Sequence, residues 1–451
     1  MKITPILLAA GLGTRMRSRL PKVMHPVCGL PMLAHSLAAV RQVSTEPPVV
    51  VIGHGAEAVR TWLGLDARCV LQDPPLGTGH AVLQAESILA EKTDLVLVTY
   101  ADMPLLRPET LQQLVETQSK NSGPLTLLTV IAPDPRGFGR VVRDAQGKVQ
   151  AIVEEAAASP EQLAINELNV GAYCFRADWV WEALHRLPVS KKGEYYLTDT
   201  VAFAIQSGQV VESILCTDLY ETIGINTRLH LAEADAAMRL RINTAHMLSG
   251  VTILDPASTY IHAGVTIGQD TTILPNTYLE GKTTIGENCV IGPETVIRDT
   301  TVGNDCKLLK SVLEGAVVEE HVDMGPFAHL RKGAHLCRGV HMGNFGEVKD
   351  STLGPGTKMG HFSYIGNATI GRDVNIGAGT ITCNYDGVNK NHTELGDDVF
   401  IGSDTMLVAP VKIGKRSRTG AGAVVTKDVP EDTLVVGVPA RPIKKLDPGK
   451  K

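Results

Sequence analysis

Ile267, Ile273, Leu279, Ile285, Ile291 and Ile297 stand six residues apart without a miss. Four residues after each comes Thr271, Thr277, Thr283, Cys289, Thr295 and Thr301, and Gly follows the aliphatic residue in IGQD, IGEN and IGPE. A helix needs an apolar period of about 3.6, which a spacing of six does not supply. Short strands joined by tight turns do supply it, with one aliphatic side chain per strand pointing inward. The small residue fits where the chain turns and space is limited. The pattern predicts a parallel β-solenoid. Its register slips near residue 302 and returns at Leu395, Ile401, Leu407 and Ile413.

The earlier half has another texture. From Gly250 onward lie 28 of the 44 glycines, whereas Trp62, Trp179 and Trp181 all precede it. Uninterrupted apolar runs such as Val49-Val50-Val51-Ile52 and Leu95-Val96-Leu97-Val98 read as strands buried on both faces. Amphipathic stretches lie between them, for example residues 32–43 and 79–90. This alternation predicts an α/β domain with a mostly parallel sheet. Residues 229–249 read as one connecting helix ending at Gly250. The expected domains are therefore 1–228 and 250–451, with 229–249 between them.

A net charge of -5 provides no global field for nucleic acid or an anionic membrane. No apolar run approaches the roughly 20 residues of a bilayer span. The first residues enter a strand directly, without a signal-peptide pattern, so a cytoplasmic protein is expected. Eight cysteines are scattered singly, with no C-x-x-C pair. That argues against a metal cluster or disulfide framework and for buried reduced thiols.

Residues 7–16, LLAAGLGTRM, end the first apolar run in a glycine turn. Parallel α/β sheets bind ligands at the carboxyl ends of their strands, which is where this turn falls. A third Gly is missing for the dinucleotide fingerprint, and no GK[ST] follows for a P-loop. The glycines do let backbone N–H groups approach an anion. Arg15 adds a guanidinium fork and Lys22 a second cation. The plainer alternative is a tight turn with solvated charges.

LAAGLGTRM followed by LPK resembles the signature of sugar-1-phosphate nucleotidyltransferases. The six-residue period resembles the hexapeptide-repeat transferases, whose repeats wind a left-handed parallel β-helix with three strands per coil. Together the chain resembles, over nearly all its length, the bacterial family of bifunctional N-acetylglucosamine-1-phosphate uridyltransferases and glucosamine-1-phosphate acetyltransferases. The resemblance implies a Rossmann-like α/β nucleotidyltransferase domain followed by that β-helix. The first would join UTP to N-acetylglucosamine 1-phosphate with release of pyrophosphate, and Mg²⁺ would assist. Arg15 and Lys22 match the phosphate-neutralising pair. Leu8, Ala9, Ala10 and Gly11 match the nucleotide cradle, and Tyr100 and Ala101 fall in its strand-end segment. Gln72, Gly77 and Thr78 match the uracil-reading positions, although Thr78 could simply cap a helix. Asp102 and Asn226 match the metal ligands, and hard oxygen donors suit Mg²⁺. Gly139, Glu154 and Asn169, with Asn226, match the sugar positions. Leu12 stands where a basic residue is common and Ala101 where Gly is usual. Ala156, Ala157 and Ala158 stand where charge is common.

In the solenoid, function collects where the repeat is interrupted. The main break is Thr382-Cys383-Asn384-Tyr385-Asp386-Gly387. The resemblance makes His361 the catalytic base for acetyl transfer from acetyl-CoA to glucosamine 1-phosphate, with Glu347 orienting it; a histidine suits a base needed near neutrality. Arg331, Lys349, Tyr364 and Asn375 match the sugar-phosphate site. Ala378, Asn384, Tyr385, Ser403 and Ala421 match the acetyl-CoA site. Three-strand coils send His329, His335 and His341 to successive sides, so they are read as structural or surface residues. An Arg that some relatives carry near Gly437 is absent; Arg441 or Lys444 could replace it, and a solvated basic tail is the plainer reading. The family implies a homotrimer. Two other readings compete: a nucleotidyltransferase (UTP or dTTP) with a non-catalytic regulatory or assembly solenoid, and a non-enzymatic trimeric scaffold.

Overall fold

The computed structural model describes residues 1–190 and 192–445, and the chain divides into two compact units after Met238. In the first unit the strand Ile3–Ala9 is buried along its whole length. It lies between two parallel neighbours, with Ile6 beside Val49 on one side and Val98 on the other. Arg68–Leu71 extends the sheet in parallel beyond Val49–Ile52. On the other side Glu167–Arg176 runs antiparallel to both Leu95–Tyr100 and Leu125–Ile131, and Val211–Cys216 runs parallel to the latter. The sheet is thus mixed. Helices including Met32–Val43 and Pro108–Lys120 give it the apolar faces that those continuous hydrophobic strands require. Each fully buried Leu, Ile or Val contributes about 1.5–3 kcal/mol. Ala9, Ile52 and Tyr100 end on one edge, and the loops that follow them build the first site.

The second unit is a three-sided parallel solenoid. Successive strands deal in turn to three sheets, so Ile273 stacks on Ile291, Leu279 on Ile297 and Ile267 on Ile285. One continuous apolar core runs from Val251 to Val435. The small corner residues do more than fit. Thr271 donates to the Gly286 carbonyl at 2.8 Å and Thr277 to Leu274 at 2.7 Å, so each buried hydroxyl satisfies a turn carbonyl. The second residue after the glycine takes left-handed backbone, as at Asp270 and Asn288, which Asp and Asn tolerate best.

The coil shortens where the periodicity slips. Ile291 stacks on Leu308 and Leu308 on Met324, so residues are lost from the turns. The buried corner position there is Thr300, while Thr301 is exposed. The strict spacing therefore placed this threonine one residue late. His329, His335 and His341 do fall on three different sheets.

The helix Arg228–Leu248 begins in the first unit and ends in the second. In the first, Asp235 accepts the Cys28 backbone N–H at 2.8 Å. In the second, buried Asn243 donates to the carbonyls of Pro256 and Thr259 at 3.0 and 3.1 Å. The basic segment Arg441–Lys445 is a strand, antiparallel to Thr433–Val436, with exposed side chains. Backbone pairing thus holds what the sequence alone left as a tail. Residues 446–451 of the expected second domain lie outside the described residues. Among the described residues no helix is long and apolar enough to cross a membrane.

Candidate active sites

At the strand ends of the first unit, a cavity of about 370 Å³ is lined by Leu8, Ala9, Ala10, Gly11, Lys22, Gln72, Gly77, Thr78, Tyr100 and Asp102, among others. Gly13 takes φ 62°, and a Cβ there would meet the Cβ of Lys22 at 2.8 Å, so the glycine lets the Lys22 segment close over the loop. The Lys22 ammonium donates to the Asp102 carboxylate, and to Asn226 Oδ1 at 3.2 Å. Two oxygen ligands from distant segments thus converge on one cation. Arg15 stands exposed on the turn Thr14–Met16 and is not among the cavity's lining residues; Ala101 is wholly buried.

Thr78 does not cap its helix. Its hydroxyl accepts the Leu197 N–H at 3.0 Å and shares a hydrogen bond with the Tyr100 hydroxyl. Burial, and then the Asp102 charge, push that phenol far above its ordinary value. It remains a proton donor. The expected sugar positions also meet. The Asn169 N–H donates to the Gly139 carbonyl at 2.8 Å, and its side chain donates to the Tyr173 hydroxyl at 2.7 Å. A Cβ on Gly139 would lie 3.8 Å from Glu154 Oε1, which accepts from Thr198 at 2.9 Å.

On the solenoid, a groove of about 660 Å³ is lined by His361, Asn375, Ala378, Ser403 and Ala421, with Gly360, Gly377, Gly402 and Gly420 between them. Small residues at matching places in successive coils keep it open. Glu347, Lys349 and Tyr364 lie on another sheet, where Glu347 stacks on Tyr364, and Arg331 directly follows the strand His329–Leu330 of that sheet. The Glu347 carboxylate accepts from Arg331 at 3.0 Å, and no hydrogen bond joins it to His361 among the described residues. A Cβ on Gly366 would come within 2.3 Å of the Tyr364 hydroxyl, so this glycine makes room for the ring. Lys349 is held below its ordinary value by its contact with Lys390, then by the charges of Lys390 and Arg331. Three cations crowd one face, as a phosphate site requires. Asn384 is buried and donates to Asn367 at 2.6 Å; Tyr385 is exposed and donates to the Gly387 carbonyl at 2.6 Å.

Sequence reasoning missed several residues. Glu194 and Tyr196 line the cavity of the first unit from a segment with no motif. Lys390 lies in the solenoid insertion, which was the only hint of it. His341, read as a structural or surface residue, pairs with Asp323 at 3.0 Å and also borders the solenoid groove. Glu319, His335 and Cys337 bring three ligand-type atoms within 4.8 Å of one another. They already satisfy each other: His335 bonds Glu319 at 2.8 Å, and burial and then Glu319 push the Cys337 thiol up to about 11.

Residues 5–166 match the family described as the MobA-like NTP transferase domain, and residues 264–299 and 392–427 match bacterial transferase hexapeptide repeats. The solenoid is accordingly a left-handed parallel β-helix. Curated relatives span the whole chain. The chain is 47% identical to "Bifunctional protein GlmU" of Syntrophomonas wolfei, over 97% of each chain. It is 46% identical to the protein of that name from Heliobacterium modesticaldum, over 100% of this chain and 98% of the relative. With that of Shouchella clausii it shares 44%, over 96% and 95%.

Proposed function

Because the chain belongs to the bifunctional GlmU family, we propose that it carries out two consecutive steps of UDP-N-acetylglucosamine synthesis, one in each unit. The solenoid moves acetyl from acetyl-CoA to glucosamine 1-phosphate. The first unit then transfers UMP from UTP to the resulting N-acetylglucosamine 1-phosphate, and pyrophosphate leaves.

The observation that carries the reading is the convergence of Lys22, Asp102 and Asn226 beside a cavity at the carboxyl ends of the strands. The two side-chain oxygens already bind one cation between them, so they fit a divalent ion, and Mg²⁺ is the one we assign. When bound, the ion would neutralise charge on the nucleotide phosphates. Lys22, released from Asp102, turns to the phosphates, and Arg15 covers them from its exposed turn. The sugar phosphate oxygen then attacks the α-phosphorus in line, so positioning and charge do most of the work. Glu154, Asn169 and Gly139 hold the acetylated sugar.

In the solenoid site, the amine of glucosamine 1-phosphate attacks the thioester carbonyl. The C–N bond forms, the C–S bond breaks, His361 takes the amine proton, and coenzyme A leaves as a thiol once protonated. Arg331, Lys349 and Tyr364 take the phosphate, Asn375 and Asn384 place the sugar, and Ala378, Ser403, Ala421 and Tyr385 border the pantetheine arm. These groups lie on two faces of one solenoid, which favours a trimer in which neighbouring copies complete each site. The reading includes a cytoplasmic location.

The test is omission. Purified protein is incubated with glucosamine 1-phosphate, acetyl-CoA, UTP and Mg²⁺, and each is then left out. Without acetyl-CoA, UDP-N-acetylglucosamine should form only from supplied N-acetylglucosamine 1-phosphate. A chain unable to acetylate would instead have a solenoid that only assembles or regulates.

A further inference from the structure

Gln72 leaves the strand Arg68–Leu71 buried, and its side chain lines the nucleotide cavity. Its amide nitrogen donates to the Gly77 carbonyl at 2.9 Å and lies 3.2 Å from His80 Nδ1. On the far side of the imidazole, Nε2 lies 3.1 Å from the amide nitrogen of Gln84. That nitrogen also donates to the His80 carbonyl at 3.0 Å. Both ring nitrogens therefore face amide donors.

A neutral imidazole has one lone pair to offer and one N–H. A protonated ring has no lone pair and would oppose both amides. Burial of His80 acts in the same sense, lowering its affinity for a proton. The Gln72 amide is the more constrained, since turning it would set its oxygen against the Gly77 carbonyl. Turning the Gln84 amide would also forfeit its bond to the His80 carbonyl, but Gln84 is half-exposed and its amide can turn to water. The lone pair therefore belongs on Nδ1, and the Gln72 nitrogen is committed inward on both its hydrogens. Its oxygen, which accepts no hydrogen bond from the described residues, is left for the cavity.

We propose that His80 is the positioning residue for base choice: it locks the Gln72 amide with its oxygen toward the base, so the site accepts a pyrimidine bearing N3–H and rejects cytosine. Uracil offers a donor at N3. Cytosine offers a lone pair there, which would meet the amide oxygen. The inference rests on the proposed reading that Gln72 faces the base.

The experiment compares kcat/KM for UTP and CTP in the full-length enzyme. His80→Leu removes the lone pair and lets the Gln72 amide turn, so the UTP/CTP ratio should fall about tenfold or more, the scale set by a site that pairs with a substrate N–H. His80→Asn can place an amide oxygen near the position of Nδ1 and should keep the ratio within about threefold of wild type, given that a retained acceptor preserves the pairing. A merely structural role would lower both nucleotides together. An equal fall with UTP and CTP in His80→Leu overturns the inference, as does a collapsed ratio in His80→Asn. Gln72→Ala separates the two levels. If it leaves the ratio unchanged, the reading of Gln72 itself is wrong. If it lowers the ratio and both His80 variants do not, only the role of His80 falls.

Discussion

The Lys22 ammonium is seated on the Asp102 carboxylate, although the two residues are 80 positions apart in the chain. Asn226 adds its oxygen to the same point. On the proposed reading, a bound nucleotide and divalent ion would separate this pair, with Asp102 holding the metal and Lys22 the phosphates. Asp102→Ala should therefore lower uridylyl transfer by about 10²–10³-fold, the scale of removing one preorganised electrostatic group. Acetyl transfer in the same preparation should be retained. An Asp102→Ala enzyme with wild-type Mg²⁺-dependent rates would remove this residue from the metal site.

The converse separation concerns His361, which lines the groove of the second unit. His361→Ala should cut acetyl transfer by about 10²–10⁴-fold, the usual worth of a positioned general base. UDP-N-acetylglucosamine formation from N-acetylglucosamine 1-phosphate and UTP should persist. Loss of both activities would show that the two units do not work independently. Glu347 is held by Arg331 in the single chain, so a smaller effect is expected from Glu347→Gln than from His361→Ala.

Lys390 crowds Lys349 closely enough to make its ammonium easier to deprotonate. Like charges are kept together at a cost in free energy, and an anion seated between them would relieve it. Lys390→Ala should raise KM for glucosamine 1-phosphate about tenfold, the loss of one solvent-screened charge-assisted contact. KM for UTP should not move. Unchanged kinetics with both substrates would place the phosphate elsewhere.

These residues differ in how readily the sequence discloses them. The solenoid could be read because its pattern is local: each coil repeats the same inward aliphatic and small corner residue, as at Ile273 and Thr277. It failed by one residue at Thr300, where the turn loses a residue and nothing in the spacing says which. The glycine loop with Lys22 and the strand-end Asp102 were visible because short motifs carry them. Lys390, Glu194 and His80 were not. Glu194 reaches its cavity from a segment without a motif, and the other two meet neighbours that only tertiary folding supplies, Lys349 for the first and Gln72 for the last. The orientation of the Gln72 amide depends on two partners, of which the backbone carbonyl of Gly77 has no side-chain signature at all.

His25 gives the fold a dependence on pH. It is almost wholly buried, and its Nδ1 lies 3.2 Å from the Arg228 guanidinium, which can only donate. Burial first, and then the Arg228 charge, lower its pKa from 6.5. Well above pH 6.5 the residue is neutral both folded and unfolded, and it adds no pH dependence. As pH falls through 6.5 the unfolded chain takes up a proton that the folded chain refuses, so stability drops until the lower folded pKa is reached. The slope per such histidine is at most about 1.4 kcal/mol per pH unit. His80 and His246 are also lowered by burial and act in the same direction. Denaturant unfolding between pH 7.5 and 5 should therefore show stability falling with acid. His25→Gln, which removes the titrating group, should reduce that slope without abolishing it. A His25→Gln protein with the wild-type slope would mean that His25 titrates alike in both states and that the Arg228 contact does not hold it neutral.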